Sequence, residues 1–235
     1  MDKERLRERV WDDIADNGVA RFPFPPHGRI PNFAGAAEAA ERLAGTPEWA
    51  AAETVKANPD SPQRPVRRRA LEAGKTVFMA VPRLREEECF LRLDPSEIED
   101  VDHATTIGGS SELGTQVGPG AVPGIDLIVS GSVAVTETGA RVGKGEGYSD
   151  LEYAVLRELG LVDETTPVAT TVHERQVVAE APTDDHDVPM DLVATPERSV
   201  RTDTTAPKPA GIDWGVLPPE RRDEIPVLER FAPDS

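Results

Sequence analysis

The chain has 235 residues, of which 38% are hydrophobic, and a net charge of -17 from 43 acidic and 26 basic side chains. A chain of this length can bury one substantial core, so it suits a single domain. Its acidity disfavours non-specific binding to nucleic acid, and its apolar runs are too short to span a bilayer, so we expect neither nucleic-acid nor membrane partners. The charged first residues differ from a signal peptide, so we expect a cytoplasmic protein. We also expect a monomer or a weak homo-oligomer.

The acidity also predicts a response to salt. Self-repulsion among many carboxylates destabilises a compact state at low ionic strength and is screened at high ionic strength. Because arginine carries most of the opposing positive charge, we expect a protein adapted to a salt-rich cytoplasm, as in halophilic archaea.

Hydrophobic periodicity predicts an alternation of helices and strands. In the first helix, residues 1–17, Leu6, Val10 and Ile14 recur at helical spacing, whereas the continuous apolar run 76–81 is typical of a strand buried on both faces. Further helices are predicted over residues 36–43 and 66–73 and after 150, and strands over 54–57, 89–92, 126–135, 167–172 and 188–194. This alternation predicts an α/β fold with a mostly parallel central sheet flanked by helices.

The segments between these elements are predicted as connections. Residues 21–35 are rich in proline and aromatic residues and should form an ordered loop, and residues 83–124 form a long connection with one short strand. We expect one domain over residues 1–214 and a weakly ordered, acidic and proline-rich tail over 215–235.

Isolated cysteine and histidine residues give weak functional signals. The single cysteine, Cys89, excludes an internal disulfide and a Cys-rich metal site and is predicted to be a small apolar filler. His103 is predicted to lie at the surface, and His173 is predicted to be a structural histidine rather than a proton relay. The run Asp184–Asp187 lacks the ligand types and spacing of an independent zinc site.

A glycine-rich stretch between residues 139 and 150 gives the strongest functional signal. Gly143, Gly145 and Gly147 alternate around Lys144, after an apolar run and before a helical pattern. Such a loop can turn at positive φ and bring backbone N–H groups close to an anion, and a helix N-terminus behind it adds partial positive charge. It matches neither the Walker nor the dinucleotide fingerprint. A polyphosphate site is favoured, and a glycine-rich connection with one solvated lysine is the alternative.

The stretch Arg141-Val-Gly-Lys-Gly-Glu-Gly-Tyr-Ser-Asp150 resembles the signature of the 5-formyltetrahydrofolate cyclo-ligase (methenyltetrahydrofolate synthetase) family. Residues 3–7 resemble the N-terminal K-x-x-x-R of that family, and residues 177–191 are similar to its closing segment. Residues 29–33, 58–67, 143–148 and 207–211 resemble its branch of methenyltetrahydrofolate synthetase domain-containing proteins. The resemblance implies a three-layer fold of the NagB/RpiA/CoA transferase type.

The resemblance also implies a reaction and its participants. The expected activity is the ATP- and Mg²⁺-dependent conversion of 5-formyltetrahydrofolate to 5,10-methenyltetrahydrofolate, with a reduced folate and ATP as small-molecule partners. By resemblance, the catalytic residues are Lys3, Arg7 and Lys144, and the Mg²⁺ ligands are Asp150 and Asp187. The residues that the resemblance assigns to the nucleotide are Lys3, Arg7, Arg141, Gly143, Lys144, Gly145, Glu146, Gly147 and Tyr148. Those assigned to the folate are Arg7, Asp60, Gln63 and Tyr148.

Some positions depart from the family pattern. Gln63 stands where the family has an acidic residue that contacts the pterin ring; a carboxylate accepts from both N–H groups of an aminopyrimidine, whereas glutamine offers one acceptor and one donor group. Ser149 replaces a tyrosine, and Asp150 has a simpler role open to it as a helix N-cap. The alternatives are therefore a nucleotide- or folate-binding relative with lost or changed chemistry, and a sugar-phosphate or CoA-transfer enzyme on a similar fold.

Overall fold

A computed structural model of the protein describes residues 1–80 and 84–231. The helices are α1 Lys3–Asp16, α2 Ala36–Ala44, α3 Pro47–Ala51, α4 Arg64–Glu72, α5 Val101–Ala104, α6 Ile107–Leu113, α7 Tyr148–Glu158 and α8 Pro219–Glu224. The strands are β1 Ala20–Arg21, β2 Asn32–Phe33, β3 Thr54–Ala57, β4 Thr76–Ala80, β5 Phe90–Leu93, β6 Thr115–Val117, β7 Leu127–Val129, β8 Ala134–Thr136, β9 Arg141–Val142, β10 Val168–Thr171, β11 Val177–Val178, β12 Leu192–Ala194 and β13 Ser199–Arg201. No helix in these ranges is long and apolar enough to cross a membrane.

The central sheet has eight strands in the order β13-β12-β10-β7-β3-β4-β5-β6. Its middle strands, from β12 to β4, are parallel, and the outer strands β13, β5 and β6 are antiparallel to their neighbours. Two smaller sheets, β11-β8-β9 and β1-β2, lie beside it. The mostly parallel sheet confirms the predicted α/β fold.

Alternating side chains of the central strands enter two different cores, which gives the fold its three layers. On one face Val55 and Val77 pack with helices α2, α3 and α4. On the other face Phe78 and Ile128 pack with helix α7 and with the C-terminal residues 225–228. Helix α1 buries the predicted residues Leu6, Val10 and Ile14 in a third cluster, against β8 and β9.

Two helices begin earlier than predicted, and one connection contains elements that periodicity missed. Helix α4 starts at Arg64, and α7 starts at Tyr148 because Gly147, at φ +71°, is its N-cap; Asp150 is therefore in the first turn and is not the N-cap. Residues 83–124 contain α5, α6 and β6 as well as β5. Helix α6 reads as a loop because of its two glycines, yet Gly109 packs so close to the His103 carbonyl that any Cβ would collide. Residues 81–83, including the predicted end of β4, lie outside the described residues.

The C-terminal segment packs on the main core. Ile225, Val227 and Leu228 are buried in the same cluster as helix α7, and α8 precedes them. The many prolines and charges of residues 215–235 predict a weakly ordered tail, whereas residues 225–228 of this segment pack on the core. The three apolar residues, spaced between those charges, attach the segment to the domain.

Candidate functional site

A cavity of about 250 Å³ lies at the carboxyl ends of strands β3 and β4, the edge at which parallel α/β sheets bind their ligands. The cavity combines a mouth formed by the glycine loop, residues 143–147, with a floor formed by residues 58–60 and helix α7. Its lining residues are Ile30, Asn58, Pro59, Asp60, Ala80, Arg141, Gly143, Lys144, Glu146, Gly147, Tyr148, Ser149, Asp150 and Glu152.

The glycine loop has the backbone geometry that its sequence predicts. Gly145 lies at φ +105° and Gly147 at φ +71°, a region that L-residues rarely adopt. A Cβ on Gly145 would lie 3.2 Å from the Arg7 guanidinium carbon, and the Arg7 Nε donates to the Gly143 carbonyl at 2.8 Å. Helix α1 therefore supports the loop through Arg7, and the N-terminus of α7 begins directly behind it.

Two ion pairs stand beside this loop. Lys144 Nζ lies 2.9 Å from a Glu146 carboxylate oxygen, and both side chains are about one-third exposed. The Arg141 guanidinium is buried and donates to the Asp150 carboxylate at 3.1 Å and to the Gly131 carbonyl at 3.0 Å. Asp150 is thus charge-paired in the structure before any ligand is considered.

The predicted metal ligands Asp150 and Asp187 are neighbours with different partners. The Asp150 carboxylate accepts from the Val188 backbone N–H at 3.1 Å, so it contacts the peptide next to Asp187. Asp187 accepts from Lys3 Nζ at 2.6 Å, and Asp184 accepts from the same ammonium at 2.7 Å. Burial would lower the pKa of Lys3, but the hydrogen bonds that its ammonium donates to Asp184 and Asp187 outweigh burial and raise that pKa.

The residues present fit a Mg²⁺ ion at Asp150 and Asp187. Both are carboxylates, the hard oxygen donors that Mg²⁺ prefers, and both side chains keep 13% of their surface exposed. The ligand atoms of Asp184, His186 and Asp187 also lie within 4.8 Å of one another. Lys3 already places one ammonium group between the two aspartates of that trio, which offsets one of their two negative charges.

Buried polar side chains at or behind the floor of the cavity were not among the predicted site residues. Lys56 and Glu152 are 2% and 6% exposed and form a buried ion pair across the sheet and helix α7. Asn58 is 5% exposed and donates from Nδ2 to Ser149 Oγ at 2.9 Å. One signal was available: Lys56 is the charged residue in a short apolar strand, and the two-residue period puts it on the α7 face, opposite Val55.

Asp60, predicted to contact the substrate, lines the cavity, whereas Gln63 does not. Gln63 is fully buried, because the 3-10 turn Ser61–Gln63 directs its side chain to Thr171 on β10, with Nε2 3.5 Å from the hydroxyl. Gln63 thus lies away from the cavity, and its contact with the substrate stays a prediction that this arrangement does not support. The buried Arg67 stabilises the loop of residues 58–60, because its guanidinium donates to the backbone carbonyls of Asn58 and Asp60.

Asp60→Asn is expected to stabilise the ligand-free protein at neutral pH. Burial raises the pKa of Asp60, and Lys144 offsets this only in part. A carboxyl whose folded-state pKa is above its unfolded value costs stability once the pH exceeds the folded pKa, and this cost disappears below the unfolded pKa. The stability gain of the variant should therefore be largest near pH 7 and shrink as the pH falls. Denaturant unfolding across pH measures it, and a variant less stable than the parent at pH 7 would contradict the assignment.

The predicted site residues thus differ in where they lie relative to the cavity. Lys3 and Asp187 pair beside the cavity, and Arg7 supports the loop from outside. The guanidinium carbon of Arg221 lies over the Tyr148 ring, 4.2 Å from the ring centroid. The residues that the structure gathers around the cavity itself are Asp60, Arg141, Gly143, Lys144, Glu146, Gly147, Tyr148 and Asp150.

The other predicted cysteine and histidine roles are structural in the described residues. Cys89 is buried, and burial raises the pKa of its thiol to about 11, so it is not a nucleophile. His173 accepts from the Arg175 backbone N–H and caps a short 3-10 helix. His103 is exposed and pairs with Glu112 at 2.9 Å.

Comparison with known proteins agrees with this geometry. The profile of the family described as "5-formyltetrahydrofolate cyclo-ligase family" matches residues 6–196. The chain belongs to the 5-formyltetrahydrofolate cyclo-ligase family. The resemblance predicted from the glycine loop and the two terminal segments is thereby confirmed.

Two curated relatives and one solved structure show how far the similarity extends. The chain is 43% identical over 236 aligned positions to the methenyltetrahydrofolate synthase domain-containing protein of Mus musculus, covering 98% of this chain and 63% of the relative. It is 42% identical to the protein of the same name from Bos taurus, covering 97% and 61%. The chain thus spans about three fifths of the length of these relatives. An NMR structure of the Aquifex aeolicus 5,10-methenyltetrahydrofolate synthetase shares the fold, with a TM-score of 0.57 at 18% identity, over 92% of this chain and 100% of that one.

Proposed function

We propose that this chain converts 5-formyltetrahydrofolate to 5,10-methenyltetrahydrofolate in a reaction that consumes ATP and requires Mg²⁺. The family membership supports a folate cyclo-ligase in general. The observation that carries the specific proposal is one cavity with a loop of backbone amides and Lys144 at its mouth and with acceptors at its floor. We further propose a cytoplasmic monomer or weak homo-oligomer that interacts with neither membrane nor nucleic acid.

The chemistry requires positioning and charge neutralisation rather than a covalent protein intermediate. The N5-formyl carbonyl is poorly electrophilic, so its oxygen would take the terminal phosphoryl group of ATP as ADP leaves. N10 would then attack the formyl carbon, the ring would close, and phosphate would leave as N10 loses its proton. Lys144, the loop amides and the α7 N-terminus would hold the phosphates. Asp150 and Asp187 would hold Mg²⁺, which would neutralise phosphate charge when bound.

The ion pairs of the ligand-free protein would rearrange when the nucleotide binds. Lys3 forms an ion pair with Asp187, and Lys144 forms one with Glu146. Both ammonium groups are therefore near the loop, and a carboxylate already balances the charge of each. The arrival of phosphate would give each lysine a new anionic partner. Asp187 would then be left free for the metal.

The central test is an assay in high salt with MgATP and 5-formyltetrahydrofolate, followed by the absorbance of the methenyl product. Lys144→Ala is expected to lower kcat/KM for ATP by about 10- to 100-fold, because a charge-assisted hydrogen bond to phosphate contributes about 1.5–3 kcal/mol. Arg5→Ala, at a highly exposed position of helix α1, is the matched control and should keep the parent activity. Equal activity of the two variants would remove Lys144 from the proposed site.

A second candidate function is binding of nucleotide or folate without turnover. Gln63 is buried away from the cavity, and Ser149 is hydrogen-bonded to Asn58 where the family has a tyrosine. The same assay separates the candidates: MgATP binding by calorimetry without methenyl product supports the binder. Product formation supports the enzyme.

Salt adaptation is proposed from the net charge of -17. Raising KCl from about 0.1 M to about 2 M shortens the Debye length from roughly 10 Å to a few Å, which screens repulsion between exposed carboxylates. We expect the melting temperature to rise across this range. Circular dichroism at several KCl concentrations measures the change, with sucrose as a control for non-ionic stabilisation. A flat or falling profile would contradict salt adaptation.

A further inference from the structure

The floor of the cavity carries an acceptor without a donor. Asn58 is 5% exposed, lines the cavity and uses its amide N–H on Ser149. Its Oδ1 is buried and has no hydrogen-bond partner within residues 1–80 and 84–231. A buried acceptor left unpaired costs about 1–3 kcal/mol, so this oxygen points to a donor that a ligand would supply.

A buried ion pair stands beside this acceptor. Glu152 lines the cavity and is held by Lys56 through one carboxylate oxygen, Oε2. Ser149 and Glu152 are three residues apart in α7, so they share one helix face, and Asn58 is bonded to that face. Apolar replacements of buried ion pairs are often neutral or stabilising, so the fold alone does not require this pair.

The floor is therefore rich in acceptors, whereas the mouth is rich in donors. Asp60 adds another carboxylate near Glu152, and burial raises its pKa. Two cations are buried with this group: Lys56 is engaged with Glu152, and Arg67 donates to the backbone carbonyls of Asn58 and Asp60. A ligand group that donates at least two hydrogen bonds would satisfy the floor, whereas an anionic group there would face the carboxylates of Asp60 and Glu152.

We propose that Asn58 and Glu152 read the donor edge of the substrate heterocycle, a ring N–H beside an exocyclic amino group as in a 2-amino-4-oxopyrimidine. The resemblance leads one to expect an acidic residue at position 63, where this chain has Gln63. Glu152 would supply that carboxylate from helix α7 instead. Lys56 is a positioning residue, because it fixes the Glu152 side chain without lining the cavity. This inference rests on the proposed function for the identity of the whole substrate.

The test uses two fragments that differ in one group. Binding of 2-amino-4-oxopyrimidine and of 4-oxopyrimidine to the full chain is measured by ligand-observed NMR in high salt. We expect the parent protein to prefer the aminated fragment by about 10-fold, since an unpaired acceptor costs about 1–3 kcal/mol. Glu152→Gln and Asn58→Leu should each reduce this preference to about 2-fold or less, whereas Glu164→Gln, at an exposed site, should retain it.

The controls separate this inference from folding and from the proposed function. If Glu152→Gln does not fold, the double variant Lys56→Met/Glu152→Leu removes the charges together and should also lose the preference, while MgADP affinity stays within about 2-fold of the parent. A parent protein that does not distinguish the fragments, or an unchanged preference in both Asn58→Leu and the folded Glu152 variant, overturns the inference. Fragment discrimination without folate turnover would support the inference and count against the proposed reaction.

Discussion

Lys56→Met is expected to lower the free energy of unfolding by about 3–5 kcal/mol, the usual cost of removing one partner of a buried ion pair. Lys56 and Glu152 are 2% and 6% exposed, so water cannot replace the lost ammonium. The remaining carboxylate would also lie close to Asp60, whose pKa burial already raises. Denaturant unfolding in a high concentration of KCl measures the change without interference from surface repulsion.

The double variant Lys56→Met/Glu152→Leu tests the reason for that loss. Removing both charges removes the uncompensated carboxylate, so most of the lost stability should return, and the variant could equal or exceed the parent. Its substrate affinity should nonetheless stay low, because the acceptor at the cavity floor is gone. If Lys56→Met were as stable as the parent, or if the double variant were no better than the single one, the two side chains would not be coupled as the structure places them.

The fold was predictable where burial left a clear pattern of apolar residues in the sequence. Strand β4 is a continuous apolar run, and helix α1 shows Leu6, Val10 and Ile14 on one face. Helix α6 was not predictable, because glycine and serine fill it and a capping threonine, Thr106, with close packing at Gly109 sets its position. The C-terminal segment was missed for a related reason: three apolar residues among many charges decide where it packs.

The candidate site was predictable at its mouth and much less so at its floor. Alternating glycines around a lysine are local in sequence, so the loop of residues 143–147 could be read directly. The pairing of Lys56 with Glu152 joins residues 96 positions apart, and no local pattern specifies it. The burial of Gln63 was also hidden, because the direction of one side chain in a 3-10 turn depends on the strand that it meets.

Helix α7 connects the two ends of the site. Its N-terminus and Gly147 lie at the mouth, its first turn contributes Asp150, and Glu152 lies at the floor. A ligand that bridges mouth and floor would therefore contact the same rigid helix at both ends. Mutations that shift the start of α7 should affect nucleotide and folate together, whereas changes at Asn58 should affect the folate end alone.

Asp150→Ala is expected to reduce both stability and activity strongly. Arg141 is 5% exposed and would lose the partner of its charge, and the Val188 N–H would lose its acceptor. Breaking a buried charge pair costs about 3–5 kcal/mol. If Asp150 holds Mg²⁺ as proposed, its loss adds a decrease in turnover of about 100-fold or more, in keeping with several kcal/mol of lost charge stabilisation. Denaturant unfolding and the methenyl assay measure the two effects separately.

Asp187→Asn is the matched variant, because Asp187 has the same predicted metal role but a different environment. Its partner Lys3 is 21% exposed and keeps Asp184 as a second carboxylate partner, so the loss of one charge should cost less stability than the loss of Asp150. The concentration of Mg²⁺ required for half-maximal activity should still rise. We expect Asp150→Ala to be destabilised, and Asp187→Asn to be stable but to require more Mg²⁺. That result would show that Asp150 serves both the fold and the metal, because Asp150, unlike Asp187, holds a buried arginine. If Asp150→Ala kept the parent stability, the Arg141 pair would not be a buried charge interaction, and the site would need a different organisation.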